Sequence, residues 1–227
     1  MKYLIILLIV FSSYSCGDES NIDEAVNAVL NNYGGICKYE IGKTIKLNKK
    51  INFYALTIRD SEYLKQFDDL SIPASNIALI FYSNLSNFKD IDEIHVNISS
   101  DKKSNSKKIF SSNDIEKFKK KENIFKKINQ FIVKKQYDKL YNSFDNTIKK
   151  QLKKSDIIDV FENQNKEFGE ISDVFIQGFE FNNTIINDKE LTLVNFIGTV
   201  KRASNNTRIS IFIDNKTDKI YSIEFDW

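Results

Sequence analysis

Two cysteines, one histidine and a few paired acids are where reactive side chains invite a chemical reading of this 227-residue chain. His95 is the single histidine. A serine–histidine–acid arrangement would have to use it, and no Gly-x-Ser-x-Gly turn presents a nucleophile. One histidine and one spare cysteine do not make a zinc ligand set. In the alternating stretch Ile91 to Ser99, His95 falls with Glu93 and Asn97, opposite Ile94, Val96 and Ile98, which predicts a solvated strand-face residue. Cys37 lacks a partner if Cys16 is otherwise engaged. A lone cysteine packs as a small hydrophobe, and only Lys38 beside it could favour a thiolate. The segment Gly34 to Thr44 ends in Gly-Lys-Thr, but Cys37 stands where a phosphate loop needs its first glycine. Asp214 to Phe225 begins like a calcium loop. Lys216 then replaces an oxygen ligand, Lys219 the turning glycine, and Phe225 the closing glutamate. The pairs Asp68–Asp69 and Asp92–Glu93 are adjacent, whereas acid–base catalysis needs two groups meeting across a cleft. No catalytic residue, metal or cofactor is therefore expected.

Cys16 reads differently. Lys2 is followed by apolar residues from Tyr3 to Phe11, then by serines and a tyrosine. A short positive region ahead of a hydrophobic run is the layout of a secretory signal. The run falls well short of the about 20 apolar residues that cross a bilayer. A small residue before a cysteine at this distance resembles the lipobox of bacterial lipoproteins. The usual Leu three positions before the cysteine is Ser13 here, and such serine-rich boxes resemble those of Bacteroidetes-type bacteria. The resemblance implies cleavage after Ser15, lipid (palmitate among the acyl chains) on Cys16, and anchorage to the outer membrane, on its periplasmic or surface face. Residues 1–15 are then a signal peptide and 16–21 a lipidated tether, whose acids resemble those that direct some such lipoproteins to the surface. Several acyl chains hold firmly, because each buried methylene contributes about 0.8 kcal/mol.

The remaining chain is long enough for one large or two small domains. A net charge of +2 gives no footing for nucleic acid. The basic residues are almost all lysine: only Arg59, Arg202 and Arg208 carry the planar fork that phosphate and base recognition favours. The lysine clusters at Lys119 to Lys121 and Lys149 to Lys154 read as solvated faces.

Two α+β segments follow from periodicity. In the first, 22–112, Ile22, Val26, Val29 and Leu30 predict a helix ended by Gly34–Gly35. Tyr39, Ile41, Ile45 and Leu47 predict a strand, joined through Asn48 to Lys50 to a second over Ile51 to Ile58. Pro73 suits the first turn of a helix with Ile77, Ile80, Phe81 and Leu85 on one apolar face. A strand over Ile91 to Ser99 leads through a polar turn, Asp101 to Lys108, to a short strand near Ile109. In the second segment, 113–227, Asn113 is expected to cap a long helix carrying Ile115, Phe118, Phe125, Ile128 and Ile132. A second helix holds Tyr137, Leu140, Tyr141 and Phe144, and a third, capped by Ser155, carries Ile157, Ile158 and Phe161 and ends before Gly169. The period then switches to two, predicting strands over Ile171 to Phe181, Leu191 to Lys201, Thr207 to Asp214 and Lys219 to Asp226.

Three helices followed by a curled antiparallel sheet, with "KKQYDKLYNSFDNTIKKQL" (Lys134 to Leu152), "EFGEI" (Glu167 to Ile171) and a closing "KIYSIEF" (Lys219 to Phe225), resemble small uncharacterised bacterial domains of the nuclear transport factor 2-like, or cystatin-like, superfamily. The resemblance covers under half the chain. It implies a cone with an apolar inner pocket, and a fold alone fixes no activity. The leading reading is a non-enzymatic, lipid-anchored envelope protein that binds a partner protein or small apolar ligand. Two alternatives stay open. One is a cone-type enzyme with a proton-transfer residue in its pocket, for which Tyr137, Tyr141, Asp145 and Asn195 are the candidates. The other is a structural accessory of an envelope machine.

Overall fold

The structure is a computed structural model that describes residues 18–86, 90–100, 103–186 and 188–226. Among these the protein is α+β, with six α-helices and two four-stranded sheets. Cys16 and residues 1–15, read above as a signal peptide, lie outside the described residues.

The first half begins with α1 (Asp18–Tyr33), which buries Ile22, Ala25, Val26, Val29 and Tyr33 at three- and four-residue spacing. It starts earlier than the sequence predicts, so Asp18 to Asn21, read above as tether, open the helix. β1 (Ile36–Lys46) and β2 (Lys49–Arg59) form an antiparallel hairpin. Its turn is Leu47–Asn48, not Asn48 to Lys50, and both residues have positive φ, 48° and 62°. That is the backbone of a two-residue type I′ turn, which favours Asn and Gly. Asn48 suits it; a leucine held there costs about 1–2 kcal/mol. α2 (Ser71–Asn84) crosses over so that β3 (Glu93–Ser100) pairs parallel to β2, and β4 (Lys103–Ser111) returns beside β3. The polar stretch expected to turn after Asp101 is thus mostly strand. β4 is an outer strand of the β1-β2-β3-β4 sheet, where polar side chains reach water.

The second half begins with α3 (Ser112–Val133). Its cap is Ser111, whose Oγ accepts the Asp114 N–H at 3.0 Å, and not Asn113. Ile115, Phe118, Phe125, Ile128 and Ile132 are all buried. α4 (Tyr137–Ser143) follows, then a one-turn helix, α5 (Asn146–Lys149), that the sequence did not suggest, and α6 (Lys154–Phe168). At the start of α6 the Asp156 carboxylate accepts the Lys153 N–H at 2.8 Å, so Asp156 rather than Ser155 satisfies that end. Gly169, at φ 86°, closes it. The buried Arg202 guanidinium then ties the helix end to the sheet by donating to the Gly169 carbonyl and to Asn165 Oδ1.

β5 (Ile171–Ile186), β6 (Lys189–Arg202), β7 (Thr207–Asp214) and β8 (Ile220–Asp226) form an antiparallel meander in sequence order. The first two extend beyond the predicted bounds. One face, with Phe179, Val194, Phe196, Ile209, Ile211 and Ile213, lies under α3, where Phe118 stacks on Phe179 and Phe125 on Phe196. A bulge between Phe212 and Ile213 sets Ile220 opposite Ile213 and leaves Tyr221 as the extra residue. Ile220, rather than Tyr221, is therefore the fully buried member of the closing strand.

The two halves meet through α2. Sequence periodicity predicts one apolar face, but the helix buries Ile72, Ala74, Ser75, Ile77, Ala78, Leu79, Phe81 and Tyr82. It packs on α1, β3 and β5 together. A helix apolar all round must be covered all round. At β5 the Phe179 N–H donates to Ser75 Oγ at 2.8 Å, and a Cβ on Gly178 would stand 2.4 Å from the Ile72 carbonyl oxygen. The buried residues of both halves make one continuous cluster.

Candidate functional site

The residues that first invite chemistry are not brought together. Cys37 is half-buried, and burial pushes its thiol up to about 11, away from a thiolate at neutral pH. His95 does face away from Ile94, Val96 and Ile98, but it is not solvated. It is 8% exposed, its ring stacks flat on Phe53 at 4.3 Å, and Nε2 lies 2.8 Å from Glu93 Oε2. Lys46 Nζ donates to both Glu93 oxygens at 2.7 and 2.9 Å. Burial opposes the Glu93 carboxylate, yet the hydrogen bonds from Lys46 and His95 hold its pKa below the usual value. Lys46 Nζ, both Glu93 carboxylate oxygens and His95 Nε2 are thus partnered with one another, which describes a structural clasp across β1 and β3. Among the described residues no group of three or more His, Cys, Asp or Glu side chains stands close enough to hold a metal ion.

The four candidates for a proton-transfer residue are also dispersed. Tyr137 is buried and stacks on Phe161 at 5.5 Å, and burial raises its phenol pKa. Tyr141 is half-buried on the same short helix. Asp145 caps α5, accepting from Thr147 N and Oγ1 at 2.7 and 2.6 Å, and the Thr147 hydroxyl is the main cause of its lowered pKa. Asn195 is buried on the other face of the sheet, paired with Glu180 and Phe212 and opposite in direction to Phe196. Its Oδ1 is buried without a hydrogen-bond partner.

What the second half does build is an apolar groove. β8 is the outer strand of its sheet, and the link between α4 and α5 is stapled to its start. Phe144 forms a parallel bridge with Ile220, and the Asp145 N–H donates to the Ile220 carbonyl at 2.9 Å. This holds α5 and α6 slightly off β8. The gap, about 200 Å³, is lined by Phe144, Ile148, Leu152, Ile157, Val160 and Phe161 from the helical side and by Tyr221, Ser222, Ile223 and Phe225 from β8. The rings of Phe161 and Phe225 meet edge to face at 5.4 Å and form its floor. Val160 remains 48% exposed at the rim. Asp156 is the charged residue of the wall, engaged at the start of α6. Burial, with Asp145 and Asp214 nearby, raises the Tyr221 phenol, which therefore offers a proton to hydrogen bonds but no base. A wider depression of about 570 Å³ shares Ile148, Tyr221 and Ser222 with the groove. Sequence periodicity marks Phe161, Ile223 and Phe225 as apolar positions, but α5, which supplies Ile148, carries no periodic signal in four residues.

No protein-family model matches this chain, and neither a curated protein nor a solved structure matches it significantly.

Proposed function

We propose that this is a lipid-anchored cell-envelope protein of binding type, held to the outer membrane through Cys16 and engaging a partner protein through the groove between α5, α6 and β8. The helices over the curled β5–β8 sheet are read as the cone that the sequence resemblance implies, with the groove as its mouth. The groove itself carries the binding reading. Its volume lies below the about 300–1,000 Å³ of sites that enclose a small molecule, and it suits one apolar side chain of a partner. Buried anchors of that kind dominate interface energetics. The anchor rests on the run from Lys2 to Cys16.

Two measurements test the proposal. Metabolic labelling with a fatty acid should mark the wild-type protein and not Cys16→Ala, and an unlabelled wild type would end the anchoring reading. Val160→Glu places a charge at the groove's rim without touching its floor. It should abolish complementation of a deletion strain at wild-type abundance and melting temperature; full complementation would remove the groove from the function.

A further inference from the structure

The β1–β2 hairpin extends past the helical layer. From Tyr33 back to Asn21, α1 covers about 18 Å at 1.5 Å per residue, and from Ile36 to Ile41, β1 covers about 17 Å at 3.4 Å per residue. The two therefore come level at Asn21 and Ile41, and both residues line one depression of about 460 Å³. Beyond that level the hairpin continues from Ile41 to Lys46. It carries Ile41, Ile45 and Leu47, which are 62%, 74% and 101% exposed. The segment Ile41 to Lys50 also holds four lysines: Lys46 and Lys49 are paired with Glu93 and Asp92, while Lys43 and Lys50 lie on the sheet face of Ile41 and Ile45. Leu47 is doubly misplaced for a water-facing tip, since it is fully exposed and sits at a left-handed position that Asn or Gly would occupy at less strain. An apolar tip flanked on the same face by Lys43 and Lys50 is the chemistry of a segment that enters the interface of an anionic bilayer, where aliphatic side chains reach the acyl boundary and lysines meet the headgroups. Cys16 precedes Asp18, the first residue of α1, by two residues, so two steps of chain (at most about 7 Å) and three helical steps (about 4.5 Å) place it no more than about 12 Å beyond Asn21, on the side toward which the hairpin extends.

We infer that the tip of the β1–β2 hairpin, Ile45 and Leu47 with Lys43 and Lys50, seats in the surface of the membrane that holds the lipid, fixing the orientation of the protein on the bilayer. This rests on the lipid-anchored reading of Cys16. The test uses the full acylated chain with Leu47→Cys in a Cys37→Ser background, coupled to a polarity-sensitive fluorophore; the thiol of Cys16 is blocked by its lipid. The chain is reconstituted in phosphatidylcholine–phosphatidylglycerol vesicles with or without brominated acyl chains. The expected result is flotation with the vesicles and a blue-shifted emission quenched by the brominated chains. A label at Ile185→Cys, an exposed aliphatic position on the other sheet, should keep its aqueous emission. Flotation with an aqueous emission at position 47, or an equal shift at both positions, overturns the hairpin contact and leaves the anchor standing. No flotation and no lipid on Cys16 overturns the anchor; the unacylated chain, with Cys16→Ser added so that position 47 alone carries the fluorophore, is then mixed with the same vesicles. A quenched blue shift there sustains the contact on its own, and its absence overturns it. A shift that appears without vesicles and grows with protein concentration shows a second copy covering the tip and overturns the bilayer as its occupant.

Discussion

Glu93 sits between a lysine and a histidine, and that placement decides how the first sheet responds to acid. Its folded-state pKa is held below the unfolded value, so its clasp with Lys46 and His95 stabilises above about pH 4.3, the ordinary glutamate range. The contribution is lost as pH falls through the depressed value. Glu93→Gln should therefore melt below wild type at pH 6, and the difference should shrink as pH falls from 5 to 3; a gap that stays constant would mean that the carboxylate is not coupled to folding. His95→Ala removes the ring stacked on Phe53, and aromatic pairs contribute about 0.5–1.5 kcal/mol beyond their buried area. The expected outcome in chemical denaturation is a loss of about 1–2 kcal/mol, with complementation by the variant intact. A folded but inactive His95→Ala would return the histidine to the chemistry that its surroundings argue against.

The element on which the fold turns is α2, whose junction with β5 gives a sharp test. Ser75→Ala leaves the buried Phe179 N–H unpaired, which costs about 1–3 kcal/mol. Gly178→Ala pushes a methyl against the Ile72 carbonyl, a contact that only a backbone shift relieves, so a loss of about 1–3 kcal/mol is expected. Because both changes act on one junction, their effects in a double mutant should fall short of the sum; strict additivity in urea titrations would show that the junction is not a unit. The same elements show what was legible beforehand. α3 and α6 each face one core with one stripe, so Ile115, Phe118, Phe125, Ile157 and Phe161 gave away their packing. β7 falls on its predicted bounds, with Ile209, Ile211 and Ile213 buried on one face as their spacing of two implies. α2 was visible as a helix, but its neighbours come from both halves of the chain, and one-face periodicity carries no sign of a second partner. The signal present was its lack of any charged residue from Ser71 to Asn84. The groove was only half legible for a related reason. Its floor, Phe161 and Phe225, is periodic, while its opening depends on the bridge from Phe144 to Ile220 and on the bulge at Tyr221, which are properties of strand pairing.

At the scale of the molecule, the boundary read between 112 and 113 falls in the first turn of α3. Each sheet has its own helices, and the expectation remains that the second half folds by itself. The seam sets how stably it does so. Separation bares the face of β5 that Ile72 and Ser75 cover and removes Phe110, whose ring stands 6.1 Å from that of Phe179. A chain spanning 111–227 should therefore show a cooperative thermal transition below that of the whole protein. Starting at 113 instead deletes the Ser111 cap, a change that typically costs about 1 kcal/mol, and should lower the transition further. The measurement is far-ultraviolet circular dichroism with temperature on the two fragments and the whole chain. A helical, sheet-containing spectrum that melts cooperatively in the longer fragment supports two folding units joined at α2. A coil-like spectrum in both would mean that α2 is the shared core of a single unit, and that neither half holds its shape without it.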